Sequence, residues 1–311
     1  MRIIKIKDMT KRFGYNLAID KINLEIEEGE IFGLLGPNGA GKSTTINIIS
    51  GLLKADKGSV QVFGKDMNTS AAEIKRNIGI VPQDIAIYEE LTAYENVHFF
   101  AGLYGLRGKE LKDRATEALQ FTGLSDKAKS FPASFSGGMK RRLNIACAIA
   151  HKPRLIIMDE PTVGIDPQSR NHILNTVKEL NKVGCTIIYT SHYMEEIEEI
   201  CSRISIIDHG KVIAEGTKEE LISIITNTNS VWITVNTTQK LNKELLEEIN
   251  GVVSVEIEHN IVKINSFSDI PNLNDIIQYF VANKISVKNI ENKKIDLETV
   301  FLTLTGRKLR D

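Results

Sequence analysis

Ile31-Phe32-Gly33-Leu34-Leu35 runs without a polar break into Gly36-Pro37-Asn38-Gly39-Ala40-Gly41-Lys42-Ser43-Thr44, and that junction constrains the fold more than any other part of the chain. A continuous apolar run bounded by such a turn suits a strand buried on both faces, the kind found inside a helix-covered parallel sheet. The glycines let the backbone close tightly with its N–H groups turned inward, as a phosphate-binding loop requires. A helix starting near Lys42 adds the positive end of its dipole. Lys42 is expected to reach the β- and γ-phosphates of a nucleoside triphosphate, and the Ser43 hydroxyl to bind Mg2+. A glycine-rich turn arising by chance explains neither the buried strand before it nor the Thr44-Thr45-Ile46 helix after it.

The same alternation of apolar runs and helical segments continues to about residue 225, the pattern of an α/β domain. Ile3-Ile4-Lys5-Ile6 and Ile22-Asn23-Leu24-Glu25-Ile26 alternate and predict an antiparallel pair. Leu155 to Met158 and Thr186 to Thr190 predict central strands, and Ile204 to Ile207 leads through Asp208-His209-Gly210-Lys211 into a hairpin. Asp159 and Glu160 follow the apolar run 155–158, so they sit at the carboxyl end of a buried strand, where α/β proteins bind ligands. Asp159 is positioned to hold Mg2+, and Glu160 to polarise the water that attacks the γ-phosphate. Without the phosphate loop the pair would read as a solvated strand end.

Thr226-Asn227-Thr228-Asn229-Ser230 reads as a linker. Beyond it the pattern predicts a strand over 231–235, a helix over 241–249, strands over 252–257 and 261–264, a helix near 273–282, a strand over 285–290 and a last helix from Asp296. That βαββαβ order with a trailing helix suits a small ferredoxin-like α+β module. The expected domains are 1–225 and 226–311.

With 311 residues, the chain has room for one large domain and a smaller one. A net charge of −1 offers no bulk attraction to nucleic acid or to an anionic membrane surface, so no nucleic-acid partner is expected. Cys147, Cys185 and Cys201 are far apart and lack metal-ligand spacing, which reads as reduced packing thiols of a cytoplasmic protein. Met1 to Lys7 alternates charged and apolar residues, which predicts a strand rather than an export signal. The longest apolar stretches fall well short of the roughly 18 residues of a spanning helix, so any membrane part is expected on another chain.

Ser136-Gly137-Gly138-Met139, followed by Lys140-Arg141-Arg142-Leu143, predicts a second anion-binding loop at a helix N-terminus. A plain Ser136 helix cap would explain the serine alone. With Gln83, Gly164-Ile165-Asp166 and His192, in this order along the chain, these motifs resemble the nucleotide-binding subunit of an ATP-binding cassette (ABC) transporter. The resemblance implies a P-loop ATPase domain with an antiparallel β subdomain and a helical subdomain. It implies two nucleotide-binding subunits, as homodimer or heterodimer, packed head to tail with each ATP between one P-loop and the other subunit's Ser136, Gly137 and Gly138. The family form of that loop is Leu-Ser-Gly-Gly-Gln; here Phe135 and Met139 depart from it, and no side-chain hydrogen bond carries over to Met139.

The same resemblance gives Gln83 the role of sensing Mg2+ and the attacking water, with Asp84 to Glu90 facing a membrane partner. Asp166 would contact the opposite subunit's nucleotide, and His192 the γ-phosphate. Phe13 is assigned to stacking on adenine, with Tyr15 as the alternative and a core aromatic as the structural reading. The Phe-Ser-Gly-Gly-Met-Lys-Arg-Arg-Leu form and the closing stretch from Asp296 to Gly306 are similar to the ABC-2 branch that serves daunorubicin-like and linearmycin-like antibiotic exporters. Its apolar residues Leu297, Val300, Phe301 and Leu304 recur at helical spacing. The implied protein is an ATP- and Mg2+-dependent ATPase, peripheral on the cytoplasmic face of a bacterial membrane, powering a separate multi-spanning permease for a drug or antibiotic. Sodium, lipid, polysaccharide or haem-maturation transport are alternatives within the family. A ribosome-associated ATPase usually carries two cassettes, a DNA-repair ATPase needs a coiled-coil insertion, and the complete set of catalytic residues argues against a pure interaction role.

Overall fold

Alternating apolar residues at the amino terminus pair β1 (Arg2–Phe13) with β2 (Asn16–Glu27) antiparallel, with Ile4 opposite Ile26 and Ile6 opposite Leu24. The computed structural model describes residues 1–225, 228–238, 241–267, 269–293 and 296–306. It divides into two compact units, Met1–Lys218 and Glu219–Gly306.

In the first unit the expected buried strand is β3 (Ile31–Leu35), with all five residues buried, and α1 (Lys42–Ile49) opens at the lysine. β4 (Lys57–Val62) returns to β1, and β5 (Lys65–Asp66) completes an antiparallel sheet in the order β2-β1-β4-β5. After α2 (Met67–Lys75), β6 (Ile78–Val81) enters the central sheet. Three helices come next: α3 (Ala93–Leu103), α4 (Gly108–Phe121) and α5 (Gly137–Ile149). A capping box starts α3, in which the Thr92 and Glu95 side chains satisfy each other's backbone N–H.

The central sheet is then filled by β7 (Leu155–Asp159), α6 (Pro167–Lys182), β8 (Thr186–Thr190), α7 (Met194–Ile200), β9 (Arg203–Asp208) and the hairpin strand β10 (Lys211–Gly216). Its order is β10-β9-β3-β8-β7-β6, parallel except at β10. β8 and most of β7 are buried, as strands covered on both faces must be. Ile3, Ile6 and Ile22 of the antiparallel sheet share one core with Ile46 of α1 and with Leu34, Ile157 and Ile188 of the central sheet. Each such side chain contributes about 1.5–3 kcal/mol by leaving water. That shared core fixes where the loop after β3 sits.

The second unit begins one helix earlier than the composition suggests, at α8 (Lys218–Ile225). β11 (Thr228–Val235), α9 (Lys243–Glu247), β12 (Val252–Glu258), β13 (Ile261–Phe267), α10 (Leu273–Ala282) and β14 (Val287–Lys293) follow, then α11 (Leu297–Thr305). The sheet order β12-β13-β11-β14 is that of a ferredoxin-like fold. The linker expectation needs correction: Asn229 and Ser230 pair with Ser266 and Asn265, so this polar segment is strand. Main-chain pairing supplies its order, and side-chain polarity does not report it; Thr226 and Asn227 lie outside the described residues. The helix over 241–249 is shorter than expected, because Asn242 caps it by accepting from the Glu244 and Leu245 N–H groups.

Candidate nucleotide site

The loop after β3 is shaped by what surrounds it. A Cβ on Gly36 would lie 2.3 Å from the Ile207 carbonyl oxygen, and Gly41 sits at φ 110° with the Ala18 carbonyl close by. Only glycine fits either place without moving main chain. The Gly210 N–H donates to the Ala40 carbonyl at 2.9 Å, so the turn between β9 and β10 braces the loop from outside. Lys42 is 5% exposed, and its Nζ donates to the carbonyls of Gly36 at 2.6 Å and Pro37 at 3.2 Å. Burial pushes its ionisation down, while the Glu160 and Asp159 carboxylates pull it back up. A cation held by carbonyls of its own loop, at the start of a helix, is suited to polyphosphate.

Three neighbouring strands, β3, β8 and β7, deliver the remaining groups from their carboxyl ends. Glu160 follows β7 and His192 follows β8, and His192 Nε2 lies 2.6 Å from Glu160 Oε1. The other oxygen, Glu160 Oε2, and the other ring nitrogen, His192 Nδ1, are buried without a hydrogen-bond partner. Glu160 takes φ 49°, a left-handed conformation that costs a non-glycine residue about 1–3 kcal/mol and clusters at functional sites. Thr190 holds it there: the Thr190 hydroxyl accepts from the Glu160 N–H at 2.9 Å and donates to Asp159 Oδ1 at 2.7 Å.

A cleft of about 610 Å³ gathers Phe13, the loop from Pro37 to Thr44, Gln83, Glu160 and His192. Phe13 is 47% exposed there, which does not fit a core aromatic, and the Lys11 ammonium stands 5.6 Å from its ring centre. Tyr15 is fully exposed and does not line the cleft. Gly36 and Asp159 lie behind the lining, at the ends of β3 and β7. Ser43, Gln83 and Asp159 offer hard oxygen donors of the kind Mg2+ prefers. Among the described residues there is no group of three or more His, Cys, Asp or Glu that could hold a metal ion.

Ser136, Gly137, Gly138 and Asp166 do not line that cleft; they form a second cluster. Ser136 caps α5 by accepting from the Met139 N–H at 3.3 Å. Gly138 packs so closely on α6 that an added Cβ would come within 2.4 Å of the Ser169 Cβ. Gly137, by contrast, meets only the tip of Ile165, at 3.8 Å, and stays open to an approaching group. Asp166 caps α6 through the Ser169 N–H at 2.9 Å, and that bond, with the Ser169 hydroxyl, holds its carboxyl below the usual range.

Sequence reasoning missed three residues that hold this machinery in place. Thr190 is the first. Arg141, buried on α5, donates to the carbonyls of Pro82, at 2.6 Å, and of Gln83, so the helix capped by Ser136 grips the segment carrying Gln83. Glu196 is the third, a buried carboxylate ringed by hydroxyls. The available signal was a charge on an otherwise apolar helical face; its partners, distant in sequence, were not legible.

Comparison with known proteins gives a concordant result. A family model described as ABC transporter matches residues 19–163. The linearmycin resistance ATP-binding protein LnrL of Bacillus subtilis (strain 168) is 46% identical over 312 residues, covering 99% of this chain and 100% of that protein. The daunorubicin/doxorubicin resistance ATP-binding protein DrrA of Streptomyces peucetius is 33% identical, covering 100% of this chain and 94% of that protein. Among solved structures, the dimeric post-hydrolysis state of the ATP-binding cassette MJ0796, bound to ADP and Pi, superposes with a TM-score of 0.63 at 32% identity, covering 69% of this chain and 98% of that chain.

Proposed function

Since the chain belongs to the family of ABC transporter ATP-binding subunits, we propose that this ATPase powers a separate membrane permease in drug or antibiotic export. The observation that carries the export reading is end-to-end similarity, across both units, to a linearmycin resistance protein. No helix among the described residues is long and apolar enough to cross a membrane, which suits a peripheral subunit on the cytoplasmic face. Ile85 and Tyr88, just after Gln83, are exposed, and Tyr88 stands edge-on to exposed Phe99 at 5.2 Å, an apolar surface for the permease. In this reading the first unit, Met1–Lys218, is the nucleotide-binding domain and the second, Glu219–Gly306, an accessory domain.

The chemistry belongs to the cleft. Phosphoryl transfer to water depends on positioning and charge neutralisation more than on covalent steps. Lys42 and the backbone N–H groups from Asn38 to Thr44, in the loop that Pro37 opens, bind the phosphates of ATP, and Phe13 stacks on the adenine. Mg2+, held by Ser43, Gln83 and Asp159, supplies further neutralisation of phosphate charge. Glu160 Oε2, lacking a protein partner, accepts the proton of the attacking water, while His192 holds Oε1. Ser136, Gly137, Gly138 and Asp166 face the nucleotide of a second nucleotide-binding subunit, consistent with their lying outside the lining of this chain's own cleft. The dimeric MJ0796 cassette supports that arrangement.

The test is purified Glu160→Gln protein with Mg-ATP, followed by phosphate release and by light-scattering mass. Hydrolysis should fall about 10²–10⁴-fold, as removal of a general base predicts, while ATP-dependent dimers accumulate. Brisk steady-state hydrolysis by this variant would overturn the role given to Glu160.

A further inference from the structure

Glu196 carries a charge that the hydrolytic chemistry does not use. It sits in α7 with 2% exposure, and burying a carboxylate is costly unless its oxygens are satisfied. Three hydroxyls converge on Oε2: Thr162 Oγ1 at 2.8 Å, Tyr189 Oη at 2.9 Å and Ser191 Oγ at 2.7 Å. The remaining oxygen, Oε1, lies 3.4 Å from Arg170 Nε. Burial, with the carboxylate beside it, pushes the Tyr189 phenol well up, so that hydroxyl stays a donor.

These partners come from different parts of the site. Thr162 lies between Glu160 and Asp166, in the turn that joins them. Arg170 is in α6, and its N–H donates to the carbonyl of the helix cap Asp166 at 2.9 Å. Ser191 immediately precedes His192, and its hydroxyl also accepts from the Tyr193 N–H at 2.9 Å. The Arg170 guanidinium in turn covers the Tyr193 ring at 4.0 Å. Both neighbours of His192 are therefore fastened to one carboxylate and its counter-ion. His192 is the residue that meets Glu160 at 2.6 Å.

We propose that Glu196 is a positioning residue for hydrolysis: its buried carboxylate holds His192 against Glu160 and ties that pair, through Thr162 and Arg170, to the segment bearing Asp166. The inference rests on the reading of Glu160 and His192 as the hydrolytic pair. A contact made by Asp166 across a subunit boundary would reach His192 through this hub: Thr162 and Arg170, tied to Asp166 by the main chain, and Ser191, bonded to His192, all meet the Glu196 carboxylate.

A double-mutant cycle separates the two readings. Single-turnover hydrolysis and KM for ATP are measured for the wild type, Glu196→Gln, His192→Ala and the double variant. Glutamine keeps the volume of Glu196 and removes its charge. Glu196→Gln should lower the rate roughly 10–100-fold, the range for supporting residues of a catalytic site, with KM within about threefold. In the His192→Ala background it should add nothing, since both changes remove one function. A fully multiplicative loss in the double variant would overturn the proposal and leave the site reading intact. A His192→Ala protein hydrolysing at the wild-type rate would sink the site reading itself. Should Glu196→Gln not fold, Ser191→Ala deletes one hydroxyl from the hub and runs through the same cycle with the same two outcomes.

Discussion

Lys42 and Glu160 are each held by the chain in a state that has a cost without ligand. The lysine is buried under its own loop, and burial opposes its charge. Glu160 is held left-handed by the Thr190 hydroxyl, with one oxygen unpartnered. Both groups face the cleft, so the predicted consequence of change is in binding and rate more than in folding. Lys42→Ala should weaken ATP binding roughly 10–100-fold, the value of one or more charge-assisted hydrogen bonds. Calorimetric titration with ATP checks it; unchanged affinity would remove Lys42 from the phosphate site. At this scale the P-loop and the Asp159-Glu160 pair were legible, because glycine spacing and a strand-end carboxylate are local signals. Thr190, Arg141 and Glu196 were not, because each acts on residues far away in sequence: Thr190 on Glu160, Arg141 on Pro82 and Gln83, Glu196 on Thr162.

Helix α5 connects the two halves of the site. Its first residues follow the Ser136 cap, its Arg141 grips Pro82 and Gln83, and the Asn144 side chain accepts from the Ala86 N–H at 3.4 Å. Just past its other end, His151 stacks on Tyr104 at 3.5 Å between ring centres, and both reach the Ile78 carbonyl of β6 at 3.2 Å. Burial lowers the His151 pKa to about 4, with the Ile78 carbonyl opposing. In the unfolded chain this histidine titrates near 6.5, so between the two values the unfolded state binds more protons. Stability is therefore full above about pH 6.5 and is lost as pH falls toward 4, by about 3 kcal/mol over the whole window. Urea denaturation at pH 7 and pH 5 should show a steeper loss for the wild type than for His151→Phe; parallel losses would contradict the account. Strands β3, β7 and β8 were legible as unbroken apolar runs. β6 was not read as a strand: it spans only Ile78–Val81, and its identity comes from pairing with β7. Asn229 and Ser230 were read as linker for the converse reason, since an edge of β11 is defined by its partners and not by its side chains.

Across the whole molecule, a nucleotide cleft is combined with a near-neutral chain of net charge −1, with no membrane-crossing helix among its described residues. Differential binding between states is what allows such a site to move another protein. The accessory unit carries its own core, Ile233, Val262, Ile264, Ile276 and Phe280, so its order does not depend on the nucleotide chemistry. The most direct measurement is recovery of the proposed permease: tagged Glu160→Gln protein, held in its ATP-bound form, is drawn from native membranes with Mg-ATP and its companions are identified by mass spectrometry. A multi-spanning membrane protein in stoichiometric amount is the predicted result. Recovery of ribosomes, or of no membrane protein, would contradict the account.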